Sequence, residues 1–272
     1  MALLTPGDYL DIHAYEKAID ATHVFSGIVL FEISRHNCIT RDIIIRNFLA
    51  RTDVLLKAIL HLWQINDLHD CWVLHRCLMD RLFHLSELDV LNEFELFEKW
   101  SFFEQYKAQN KIRSDIELAA AKTNPLFTPS QDEAARAKIL SKEPPEWHRP
   151  KAEDVAKRLD MTFLYKYGYD FASRHVHPMA NDGERDFFEI THLEPAPSYP
   201  DQRVVLSNSI LVGSMIFQVG LNASSFKWRH VVFNFLSELR EHLQGGNATH
   251  LVSLAKIADL FHKNVELSER KD

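Results

Sequence analysis

Glycine is scarce for a chain of this length: 8 in 272. Asn-Gly and Asp-Gly turns, which mark tight hairpins, are nearly absent, with Asp182-Gly183 as the exception. That scarcity argues against a hairpin-built β fold and predicts helix throughout. Cysteine is also rare: Cys38, Cys71 and Cys77 are an odd number with neither disulfide-framework nor metal spacing, as expected of reduced, buried thiols. Basic residues do not outnumber acids. With 31 Lys+Arg against 38 Asp+Glu, the net charge of −7 argues against a sequence-independent nucleic-acid coat, though not against a local basic groove. Glycine-rich phosphate loops, nucleophile elbows, internal repeats and low-complexity tracts are missing too. The first twenty residues carry Asp8, Asp11, Glu16 and Asp20, unlike a signal or transit peptide, so the expected location is cytoplasmic.

What is present reads as successive helices in an all-α, multi-helix bundle. The pattern predicts helices from about Ile12 to His36, Thr40 to Ile65, Asp67 to Leu88 and Asn92 to Lys122. Ser130-Gln-Asp-Glu133 is a capping box, opening a helix that ends before Pro144-Pro145. Residues 143–150 form a loop that Trp147 should anchor, and a short helix begins near Ala152. A long irregular loop is expected over about 179–203, where Pro195, Pro197 and Pro200 fall. The chain should form one helical domain over 1–272, with 1–178 as core bundle and 204–272 as C-terminal helices, broken at Gly245-Gly246-Asn247, if it subdivides. Val204 to Phe226 has no charged residue and is long enough to span a bilayer. Its serines and amides, with no basic flank or aromatic belt, instead predict a central or interface helix and no membrane.

Chemistry concentrates in two places. Tyr165-Lys-Tyr-Gly-Tyr-Asp-Phe-Ala-Ser-Arg-His-Val-His-Pro178 reads as a helix on which Tyr169, Ser173 and His177, four apart, form one polar stripe. Lys166, Asp170 and Arg174 form a second stripe with signs suited to exposed ion pairs. The helix from Asp67 shows a core stripe of Cys71, Leu74, Leu78, Leu82, Leu85 and Leu88. Against it runs a polar stripe of His69, Arg76, Asp80, His84 and Glu87. Trp72, Val73, Met79 and Phe83 flank this stripe, so the helix should be covered on both sides and Arg76–Asp80 partly enclosed.

Three features resemble a bacterial helical family known as domain of unknown function 5677. These are Arg76-x-x-x-Asp80 in an apolar helix, Lys99-Trp100-Ser101 after it, and the Tyr-rich helix ending Ser173-x-x-x-His177-Pro178. The resemblance covers about Ile28 to Met179, with Asp80 where the family pattern has glutamate, and it brings no activity with it. A looser likeness is to the HEPN helical ribonucleases, which place an arginine and a histidine with four to six residues between them. Here Arg174 has only two residues between it and His177, and Arg185 and His192 have six.

If the two helices face one another, Arg76, Asp80 and His177 are the candidate catalytic groups: an anion clamp, its counter-ion and a general acid–base. Tyr169, Ser173, Arg174 and His175 are the candidate substrate-binding groups. Such a set suits metal-independent phosphodiester chemistry or passive binding of a nucleotide. His175 and His177 project about 200° apart on a helix, so no metal or other cofactor is expected. The leading expectation is a bacterial stress- or defence-type effector acting on RNA or a nucleotide phosphate. Its rival is a non-catalytic interaction or scaffold module whose polar network is structural. Partners under these readings are RNA or a nucleotide, a second copy, or an operon-encoded protein.

Overall fold

The computed structural model describes residues 11–35, 39–115, 124, 128–177, 179–180, 183–193, 203–226 and 229–244. Helices make up the architecture, and no strand occurs among the described residues. They are α1 (Ile12–Ser34), α2 (Thr40–Gln64), α3 (Leu68–Leu91), α4 (Phe94–Ser114), α5 (Gln131–Leu140) and α6 (Ala152–Arg158). There follow α7 (Thr162–Leu164), a π-helical turn (Tyr165–Tyr169), α8 (Asp170–Ser173), α9 (Glu184–Thr191), α10 (Val204–Ala223) and α11 (Arg229–Leu243). The all-α prediction therefore holds. Cys38, Pro178, the prolines after 193 and the Gly245-Gly246-Asn247 break lie outside the described residues.

Backbone contacts group the chain into two compact units, 1–87 with 151–272, and 88–150. The subdivision expected between 178 and 204 falls inside the first.

The first unit is built around α10. Its uncharged sequence is long and apolar enough to cross a membrane, yet 67% of its most apolar window is buried. It packs against α2, α11 and α1, an arrangement compatible with a soluble protein. Two glycines set the α2–α10 approach: a Cβ at Gly213 would lie 2.9 Å from Leu56 Cδ1, and one at Gly220 3.1 Å from Leu49 Cδ2. Two of the α10 hydroxyls find partners in other helices. Ser209 Oγ lies 3.0 Å from His75 Nδ1, and Ser214 Oγ accepts from Arg240 Nε at 3.1 Å. Just past its end, the backbone N–H and hydroxyl of Ser225 donate to buried Asp42, at 3.0 and 2.6 Å. Phe25 of α1 stacks on Phe235 of α11, their ring centroids 3.8 Å apart, so the two outer helices also meet.

In the second unit, the capping box at Ser130 and Glu133 is formed in both directions. Trp147 is buried, donates to Glu93 Oε2 at 3.1 Å and packs on Phe97 and Trp100. It pins the 143–150 loop to the start of α4. The described part of α4 ends at Ser114, short of the expected Lys122, whose neighbourhood lies outside the described residues.

Two local expectations need correction. The stretch 179–203 is not wholly irregular, because α9 occupies Glu184–Thr191. The prolines that suggested a loop all come later. Glu184 and Asp186 sit in its first turn, where carboxylates favour the positive end of the helix dipole, and Gly183 supplies the left-handed entry at φ 77. Nor is the Tyr/His segment a continuous α-helix. It passes through a π turn and its last α-helical residue is Ser173, with 174–176 in turns and His177 in a bend. Proline at 178 disfavours helical backbone at His177, which removes the last turn of the expected stripe.

Candidate functional site

α3 runs between two sets of neighbours. One side is apolar: Cys71, Leu78, Leu82 and Leu85 are buried, and Cys71 Sγ donates to the Ile59 carbonyl at 3.4 Å. Burial pushes the Cys71 thiol up to about 12, so it stays protonated. The other side meets the π turn. Gly168 allows this approach, since a Cβ there would lie 3.3 Å from Met79 Cε and 3.8 Å from His75 Nε2. His75 itself is buried. Removal from water holds its imidazole neutral, with the pKa pushed down to about 4.

Arg76 is the centre of the seam. Its Nε donates to Ser173 Oγ at 2.8 Å, and that hydroxyl donates in turn to the Tyr169 carbonyl at 2.8 Å. The guanidinium lies over the Tyr169 ring, Cζ 3.2 Å from its centroid, while Nη1 forms an ion pair with Asp80. Tyr165 stacks on Tyr169 at 5.2 Å, and Phe83 closes the other flank at 5.8 Å. Burial lowers the Arg76 pKa, and Asp80 opposes that shift. The Arg76 side chain is 17% exposed and that of Asp80 53%, so the cation is enclosed and its counter-ion is not. Nη2 makes no hydrogen bond among the described residues.

Of the residues singled out from sequence, Arg76, Asp80, Tyr169 and Ser173 come together here. Arg174 and His177 do not: both are exposed, and neither side chain has a hydrogen bond, ion pair or ring contact among the described residues. Lys166 and Asp170 are likewise exposed, and the ion pairs expected along the second stripe are not made.

His175 belongs to an adjoining cluster. Its Nδ1 lies 3.4 Å from Nδ1 of His69, and its ring is 6.1 Å from Trp72 and 5.7 Å from Phe171. No group of three or more metal-ligating side chains occurs among the described residues. Glu87, placed with the arginine stripe, is buried and pairs with Arg158 of α6; His84 sits against Phe48.

Sequence reasoning missed Trp72, His75 and Gly168 as parts of the seam. For Trp72 a signal was there. His69, Trp72, Arg76 and Asp80 step by three, four and four, the spacing of one helical face, and Phe171 and His175 are four apart. His75 and Gly168 matter through close packing, which leaves no such trace.

Comparison with known proteins places this seam in a family. Residues 42–191, more than half of the chain, match a family of unknown function (DUF5677), and this span holds all of α3, the π turn and α9. No curated protein and no solved structure matches the chain. The chain that sets Arg76 on Tyr169 and Ser173 therefore belongs to the family of unknown function DUF5677.

Proposed function

We propose that the chain is a helical effector of stress or defence type that binds RNA or a nucleotide phosphate at the Arg76 seam. One observation carries this reading. An enclosed guanidinium is held by Tyr169 and Ser173, and among the described residues one of its nitrogens is uncommitted and the exposed Asp80 carboxylate is its counter-ion. A guanidinium fixed in this way is prepared for bidentate contact with phosphate, and its orientation costs little on binding. Asp80 is a weak competitor, because ion pairs open to water are worth about 0–1 kcal/mol. Arginine, a single carboxylate and two hydroxyl-bearing side chains call for no metal.

Binding is favoured over turnover. Phosphodiester cleavage by a 2′-hydroxyl needs a general base near the clamp, and His177 stands apart from it. In the adjoining cluster the His69 and His175 rings meet edge-on, Nδ1 to Nδ1 at 3.4 Å.

Titration with a fluorescent oligoribonucleotide and with uridine monophosphate tests the proposal. Arg76→Gln should weaken both about ten-fold or more, Asp80→Asn should strengthen both, and His177→Ala should change neither. Wild-type affinity in Arg76→Gln would sink the reading.

A scaffold reading is favoured by a different observation. The Arg76–Ser173 bond ties together segments 97 residues apart and so fixes the register of two helices. Under that reading Arg76→Gln lowers stability by about 1–3 kcal/mol, and there is no ligand affinity to lose.

A further inference from the structure

The run from α7 through the π turn to α8 has an outward face as well as the one turned to Arg76. Phe163, Tyr167 and Phe171 follow each other at four-residue intervals and are 44%, 63% and 39% exposed. The Phe163 and Tyr167 rings are 4.7 Å apart, and Phe171 is braced edge-on against Trp72 at 4.8 Å. A line of three aromatic rings in water is unfavourable for the isolated chain and asks for an occupant.

Lys166 and Arg174 flank the line. Both are exposed and without an ion pair among the described residues, and they outnumber Asp170 between them. Residues 163–174 therefore carry a net charge of +1 on a chain of −7 overall. Positive charge beside exposed aromatic rings complements a polyanion that carries π faces. The paired bases of a duplex keep their faces stacked on one another, so unpaired bases are the ones that can be laid on exposed rings.

We infer that this face is a stacking platform for single-stranded RNA, with bases on Phe163, Tyr167 and Phe171 and the backbone along Lys166 and Arg174. The inference rests on the RNA reading of the Arg76 seam, to which it adds a site for consecutive nucleotides. Stacking of this kind tolerates any base sequence and is salt-sensitive.

The test uses the full chain with uridine monophosphate, a labelled oligouridylate of six nucleotides and an RNA duplex of equal length. The hexamer should bind at least ten-fold tighter than the monophosphate and weaken as salt rises. Phe163→Ala with Tyr167→Ala should remove that advantage while leaving monophosphate affinity and melting temperature unchanged. Lys166→Glu with Arg174→Glu should do the same without touching the rings. A hexamer no tighter than the monophosphate overturns the platform and leaves the Arg76 reading standing. Failure of both ligands overturns both. A duplex bound as tightly as the hexamer overturns the single-strand assignment. Self-association of the chain that the ring variants abolish would assign the face to a second copy and also overturn the proposal.

Discussion

His75 shows how much one side chain can reveal about the packing around it. It lies one residue before Arg76, yet it faces α10 and is shut off from water, with Nδ1 at Ser209 and no hydrogen-bond partner for Nε2 among the described residues. The unfolded chain takes up this proton near pH 6.5, whereas the folded chain refuses it until about 4. The depressed value belongs to a base, so the stability it contributes is intact above pH 6.5 and is lost as pH falls towards 4. Below that value both states carry the proton and nothing more is lost. The gap corresponds to about 3 kcal/mol. Thermal unfolding should show a falling melting temperature between pH 6.5 and 4, and His75→Gln should flatten that slope. An unchanged slope in the variant would mean that other groups drive the acid response. The neighbouring residue was easier to read. Arg76 and Asp80 are four apart, and the apolar residues flanking them pointed to a partly enclosed pair, of which the arginine is enclosed and the aspartate is not. Nothing in the spacing disclosed which imidazole is buried, since burial depends on the element packed above it.

At the scale of elements, α10 and the π turn make opposite lessons. An uncharged run of this length with serines and small residues pointed to a helix covered on several sides, and α10 is that helix. Its glycines explain the coverage. Gly213 and Gly220 let α2 approach until Leu56, Leu49 and Ile45 touch the backbone of α10. Gly213→Val places two methyl groups where Leu56 already sits. It should cost about 1–3 kcal/mol, read as a lower denaturation midpoint with an unchanged slope. Gly213→Ala should be much milder, because the terminal methyl of Leu56 can swing aside and alanine favours helix. The π turn could not be read ahead. Apart from Gly168, Tyr165–Tyr169 contains residues at home in an ordinary helix, and the wider turn goes with a local stack of Tyr165 on Tyr169 and the close approach of Gly168 to Met79. That turn also explains why the predicted stripe survives only in part. Tyr169 and Ser173 keep their four-residue spacing, and His177 falls beyond the last helical residue. The α9 error has a simpler source, since prolines further along the chain coloured the reading of residues before them.

For the molecule as a whole, helical class followed from the lack of glycine turns and the long apolar periods. The division into units did not, because α3 runs through residue 88 without proline or glycine to mark a boundary. Coverage of α10 leads to a prediction at this scale. The chain should be extracted without detergent and stay in the supernatant after centrifugation. Fractionation with membranes that resists high salt and alkaline washing would show that α10 leaves its place in the bundle.

The placement of α10 also bears on how the chain is made. Its partners α1 and α2 are synthesised some 140 or more residues earlier, so during translation their facing sides wait uncovered until Val204–Ala223 leaves the ribosome. Exposed apolar surface on a nascent chain is what chaperones hold and what aggregation starts from. The last quarter of the sequence thus completes the core begun by the first, and a chain interrupted before residue 204 would be a client of quality control rather than a smaller folded protein.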